Sequence, residues 1–200
     1  MSVNMVMRAA ITAVAAGFIA SARGEEPAAP AQKQYTTEDN VRWADERARI
    51  ATAQDRRFAG EFMARADRAY RRGNYHRAWR DYNDAVPYYP HVRGFLMAAN
   101  AGQRSWLLYG TRHRAAGQCV IRREHYVSQL RSDLAFRARV GLVLAARTPP
   151  RDAVEATLRR RVAAQTVCLE EIRRDHEPLP DAACIDAERL AACLGPPLLR

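Results

Sequence analysis

The sequence predicts an all-α protein, either a helix-turn-helix α-α superhelix or a small antiparallel helical bundle. Three observations carry this expectation. Apolar residues recur at intervals of three and four along most of the chain beyond Thr36, the signature of amphipathic helices. Glycine and proline punctuate those stretches at Gly73, Pro87, Pro90 and Pro149-Pro150, where a helix must turn or stop. Two hundred residues that are 48% hydrophobic can build one domain around a real core.

Residues 1–22 read as a signal peptide. Arg8 precedes a 12-residue apolar run from Ala9 to Ala20, and Ala20-Ser21-Ala22 places small residues where a signal peptidase cuts. The run falls short of the roughly 20 residues that span a bilayer, so no transmembrane anchor is expected after cleavage. The expected location is periplasmic or secreted. Residues 23–35, with Pro27, Pro30 and no apolar period, form a flexible linker.

Two regions follow, 36–130 and 131–200. Thr36, three residues before Asp39, offers a capping box, and Val41 to Arg57 is helical, with Trp43, Ala44, Ala48, Ile50 and Ala51 as buried candidates. This helix is expected to pack on the next one. From Phe58 onward, Phe62, Met63, Ala66, Ala69 and Tyr70 share a helical face. Gly73-Asn74 supplies the positive φ of a helix C-terminus. Tyr75, Ala78, Trp79, Tyr82 and Ala85 repeat at three and four, with Ala78 and Ala85 small enough for close approach, before Pro87 and Pro90 end the second helix.

The pattern Gly73-x-Tyr75-x-x-Ala78-x-x-x-Tyr82-x-x-Ala85-x-x-x-x-Pro90 resembles the second half of a tetratricopeptide repeat, one clear unit over residues 59–92 with degenerate neighbours. In its first half, Phe62 fills the large aromatic slot and Ala66 the small one, while Arg65 and Ala69 depart from the usual leucine and aromatic. The resemblance implies a concave groove lined by the first helix of each pair. Matching by position gives Gly60, Met63, Asp67, Tyr70 and Arg71, and in the weaker second unit Met97, Ala101 and Arg104. Met63 and Asp67 stand where members that bind chaperone tails carry lysine and asparagine, so that carboxylate clamp is absent. What the resemblance implies is a scaffold binding a protein or peptide partner in the cell envelope.

Val92 to Leu108 suits a further first helix, with Phe95, Leu96, Ala98, Ala99 and Trp106 inward. Its turn glycine is displaced to Gly110, so the helix is extended or the repeat is broken. A helix from about His113 to Leu130, a core helix from Leu130 to Ala146, an amphipathic helix from Arg151 to Asp175 bearing Val154, Leu158, Val162, Val167, Leu169 and Ile172, and a last helix from about Asp181 to Leu194 complete the expectation. Cys119, Cys168, Cys184 and Cys193 in an exported chain imply two disulfides. If Cys184 and Cys193 share one helix they stand about 13 to 14 Å apart, beyond the 7 Å or so a disulfide tolerates. Two pairings stay open: Cys168 with Cys193 and Cys119 with Cys184, or Cys168 with Cys184 and Cys119 with Cys193.

Catalytic signatures are missing. The sequence has no glycine-rich phosphate loop, no GxSxG elbow, no HExxH and no CxxC, so no enzyme, no cofactor and no metal site are expected. Charge supplies the alternative to groove binding. Basic residues number 32 against 22 acidic, giving a net charge of +10, which favours anionic partners. Between Asp84 and Glu124 no acidic residue occurs, while Arg93, Arg104, Arg112, Arg114, Arg122 and Arg123 all do. That block fits an anionic surface or polymer, such as a lipid headgroup or an acidic glycan, with nucleic acid ranked below them.

Overall fold

A computed structural model describes residues 36–112, 136–176, 180 and 183–199, all within the unit of chain spanning 35–200. The predicted signal peptide, the linker and the predicted helix from His113 to Leu130 lie outside the described residues. The protein is all-α. Its described helices are α1 (Thr37–Ile50), α2 (Ala53–Arg71), α3 (Tyr75–Ala85), α4 (Val92–Arg112), α5 (Arg139–Ala146), α6 (Ala153–His176) and α7 (Ala187–Leu194).

The capping box of α1 forms as its sequence predicts: the Asp39 N–H donates to Thr36 Oγ1 and the Thr36 N–H donates to Asp39 Oδ2, both at 3.1 Å. The helix does not run on to Arg57. Ala51 and Thr52 are extended, and a second capping box, in which the Thr52 N–H donates to Asp55 Oδ2 at 2.8 Å, starts α2 afresh. The two Thr52 hydrogen bonds, with Arg47 beside them, hold the Asp55 carboxyl below the usual carboxylate range. Helix α1 also packs elsewhere than expected. Val41 and Ala44 join Phe95 and Val140, so its main partner is α5 and not α2. Because that contact covers a narrow stripe, Ile50 is 70% exposed and Trp43 lies at the surface.

Between α2 and α3 the chain reverses in a Schellman turn. Gly73 sits at φ 72°, its N–H donates to the Tyr70 carbonyl, and the Asn74 N–H reaches back to the Ala69 carbonyl, each at 2.9 Å. Asn74 Oδ1 then accepts from the Arg77 N–H at 3.2 Å, so one residue closes α2 and caps α3. Ala66, Ala78 and Tyr82 are fully buried where the two helices meet. Asp67 ties the pair to α4: Tyr82 Oη donates to Asp67 Oδ1 at 2.7 Å, and Arg93 grips both Asp67 oxygens at 2.8 and 2.7 Å. Burial, and then the Asp67 carboxylate beside it, pushes the Tyr82 phenol pKa up.

Helix α4 is central, in contact with α3, α5, α6 and α7. The uninterrupted buried run Phe95–Ala101 explains its place, since a helix apolar on every side must be enclosed. It passes through Gly110 to Arg112, and so is the extended form of the two expected. Gly141 lets α5 approach it closely: a Cβ there would meet Leu96 Cδ2 at 2.8 Å and Phe95 Cβ at 2.9 Å. In α6 the inner face is Glu155, Leu158, Val162, Gln165, Leu169, Ile172 and His176, alternating by three and four, with Thr166 buried beside Gln165. Val154 and Val167 fall off that stripe and are 71% and 62% exposed, against expectation.

Cys168 is bonded to Cys193, with Cα atoms 5.6 Å apart, which selects the first of the two pairings for these residues. Cys184 is disulfide-bonded too, and Cys119 lies outside the described residues. The premise behind the pairing needs correction. Helix α7 begins at Ala187, capped by Asp186, so Cys184 is not on the same helix as Cys193.

His91 opens α4 by accepting the Gly94 N–H on Nδ1 at 3.1 Å, which requires an unprotonated ring nitrogen. Burial first, then the Arg151 and Arg93 charges, push its pKa down from 6.5 to about 4. The unfolded chain therefore takes up a proton first as pH falls, so this contribution is full above the ordinary value and is lost between about pH 6.5 and 4. His91→Asn keeps a capping acceptor without the titration. Urea unfolding across that window is expected to show the wild type losing about 3 kcal/mol more than this variant.

Candidate functional site

Three helices present one face each to a common groove. Helix α2 contributes Tyr70, α4 contributes Met97, Asn100 and Arg104 at intervals of three and four, and α6 contributes Leu158, Arg161 and Gln165 at the same intervals. Positions so spaced lie above one another on a helix. Most polar members are deeply buried, Tyr70 being 1% exposed and Arg104 5%, while Arg161 is half-buried.

They form one connected network. Tyr70 Oη donates to Asn100 Oδ1 at 2.5 Å, and Arg104 Nε donates to the same oxygen at 3.0 Å. Asn100 Nδ2 donates to Gln165 Oε1 at 2.8 Å. Further bonds from Arg104, Gln165 and Arg161 go to residues 194–197. Arg104 Nη2 is shared among the carbonyls of Leu194, Gly195 and Pro196 at 2.9, 2.9 and 2.7 Å, and Gln165 Nε2 donates to the Leu194 carbonyl at 2.7 Å. Arg161 donates to the carbonyls of Pro196 and Pro197. In the other direction the Leu198 N–H donates to Tyr70 Oη at 3.1 Å. These contacts hold the bent segment that follows directly on α7 by its backbone carbonyls and the Leu198 N–H.

The electrostatics fit this arrangement. Arg104 lies at the C-terminal end of α7, where free carbonyls and the negative end of the helix dipole favour a cation. Its described bonding partners are all neutral oxygens, and its guanidinium also lies 5.7 Å from the centre of the Tyr75 ring. Burial pushes the Tyr70 phenol pKa up against the opposing charge of Arg104, so the hydroxyl stays a donor to Asn100 and an acceptor for Leu198. The segment turns into the groove at Gly195, whose φ of 55° and ψ of −161° border a region that only glycine occupies readily. Beside Leu198 and Leu199 a cavity of about 510 Å³ remains, with Arg93, Met97, Leu158 and Arg161 on its wall.

The sequence-predicted groove residues thus meet different fates. Met63, Tyr70, Met97, Ala101 and Arg104 are buried within the chain, Asp67 is bound by Arg93 and Tyr82, and Gly60 and Arg71 are exposed. Of the arginine block, Arg93 and Arg104 point inward to partners of their own. The side chains of Arg112, Arg114, Arg122 and Arg123 lie outside the description. Sequence reasoning missed Asn100, Arg161, Gln165 and the segment they hold. Asn100, alone and polar in the apolar run from Phe95 to Ala101, carried a signal, because a polar group so placed needs a buried partner. Among the described residues no group of histidine, cysteine or carboxylate side chains is arranged to hold a metal ion.

No known protein family, curated protein or solved structure matches the chain.

Arg104→Met keeps the apolar stem and removes the guanidinium bonds to the three carbonyls and to Asn100 Oδ1, leaving Gln165, Arg161 and Tyr70 to serve Leu194, Pro196 and Asn100. The expected result is a loss of about 3 kcal/mol in unfolding free energy, read from urea titration.

Proposed function

We propose that the chain is a non-enzymatic interaction scaffold of tetratricopeptide type, acting in the cell envelope by holding an extended protein or peptide segment in the groove framed by α2, α4 and α6. One observation carries the reading: Tyr70, Arg104, Arg161 and Gln165 hydrogen-bond residues 194–198 at main-chain atoms, as a groove engages a peptide, while Leu198 and Leu199 pack against the core. The positive-φ turn at Gly73 and the close α2/α3 contact at Ala78 support the resemblance to a tetratricopeptide unit. A periplasmic or secreted location is supported by the Cys168–Cys193 disulfide, a bond that persists in oxidising compartments. Among the described residues no helix is long and apolar enough to cross a membrane. The anionic-surface alternative has less support, because Arg93 and Arg104 spend their charge inside the fold.

Val154 is exposed at the rim of the cavity beside Leu198 and Leu199, whereas Trp43 is exposed on α1. With a photo-crosslinking residue at each position in turn, irradiated in cells, the scaffold reading expects a discrete adduct from Val154 that maps to one short linear segment of a second protein and survives high salt. Trp43 should give none. Salt-sensitive smears, or equal adducts at both sites, would overturn it.

A further inference from the structure

The segment in the groove has a chemistry of its own. Pro196 and Pro197 have no N–H, so a groove made of donors meets acceptors at successive residues and leaves no backbone donor unpaired there. Both proline rings also fix φ before docking, which lowers the entropy lost on ordering. Leu198 and Leu199 are only partly buried, and the cavity of about 510 Å³ stays open beside them. The segment satisfies the polar network but underfills the apolar part of the site.

We infer that the groove's partner is an uncharged segment carrying a proline pair followed by large apolar residues, and that residues 195–199 are a resident copy of this ligand which the partner must displace. The inference rests on the scaffold reading and adds to it the class of partner and a cis competitor. Displacement goes by exchange. Removing the segment without replacement would strand the buried donors of Arg104 and Gln165, which is costly, whereas an incoming segment with the same carbonyl pattern satisfies them. The disulfide from Cys193 to α6 fixes the chain two residues before Gly195, so the resident copy competes at the high effective concentration of a short tether, on the order of millimolar. Any partner in trans must overcome it.

The test uses a fluorescein-labelled, amidated peptide of residues 194–199, titrated by anisotropy into the full chain and into a variant lacking residues 195–200. The variant is expected to bind at least about tenfold more tightly than the full chain, and adding Arg104→Met to it should abolish binding. A peptide with aspartate at both proline positions should not bind. Equal affinity for the two proteins, or no binding to a shortened chain that circular dichroism shows to be helical, overturns the inference. Should the shortened chain fail to fold, full-length Gly195→Val is the second variant. It leaves every groove group in place, no neighbour lies within 4 Å of the added Cβ, and only the turn is disfavoured. It should again bind more tightly than wild type, and unchanged affinity overturns the inference. Loss of peptide binding with the Val154 adduct retained removes this inference alone. Peptide binding without any adduct removes the scaffold reading instead.

Discussion

The fold depends on a buried positive charge with no carboxylate among its described bonding partners. The Arg104 guanidinium sits among α4, α7 and the ring of Tyr75, and its described bonds go to Asn100 and to three successive carbonyls. Taking a cation out of water costs several kcal/mol unless its hydrogen bonds are met. Here the end of α7 meets them, and the cost becomes a condition on the architecture: α7 and the residues after it must lie where they do. The disulfide to α6 fixes the same place covalently, so two independent constraints agree on the position of residues 193–196.

A second clasp works at the other side of α4. Asp67 from α2, Tyr82 from α3 and Arg93 from α4 form a part-buried triad in which the carboxylate takes bonds from both partners. Such charge-assisted pairs are short and directional, and this one sets how the helical hairpin leans on the central helix. Between the two clasps lies the apolar run of α4, and Gly141 brings α5 within contact distance of its back. The groove is the space these contacts leave between α2, α4 and α6.

Much of the fold was legible in the sequence where a local rule acts alone. The hairpin from α2 to α3, its Gly73-Asn74 turn, the Thr36 capping box and the break at Pro149-Pro150 follow from side chains bonding their own backbone or from prolines that cannot continue a helix. Thr52-x-x-Asp55 repeats the Thr36-x-x-Asp39 signature, so the break between α1 and α2 was readable and was passed over for the helical period around it. The face of α6 was harder. Three of its inward positions are Glu155, Gln165 and His176, while Val154 and Val167 face out, because the polar groups have partners in the fold that hydropathy does not register. The site was only half legible for the same reason. Tyr70, Met97 and Arg104 were placed in a groove by the resemblance to a tetratricopeptide unit, but what fills that groove comes from 90 to 128 residues further along the chain, and no local pattern encodes a pairing of that range.

Hydrogen exchange at the Leu198 amide tests most directly whether residues 195–199 occupy the groove in solution. Its N–H donates to Tyr70 Oη inside the site, so the amide should be protected in the full chain, and Tyr70→Phe should remove that protection while amides in α2 and α3 keep theirs. Exchange at the rate of an unstructured peptide in the wild type would mean that the segment is not held by the groove, and the central claim would fail.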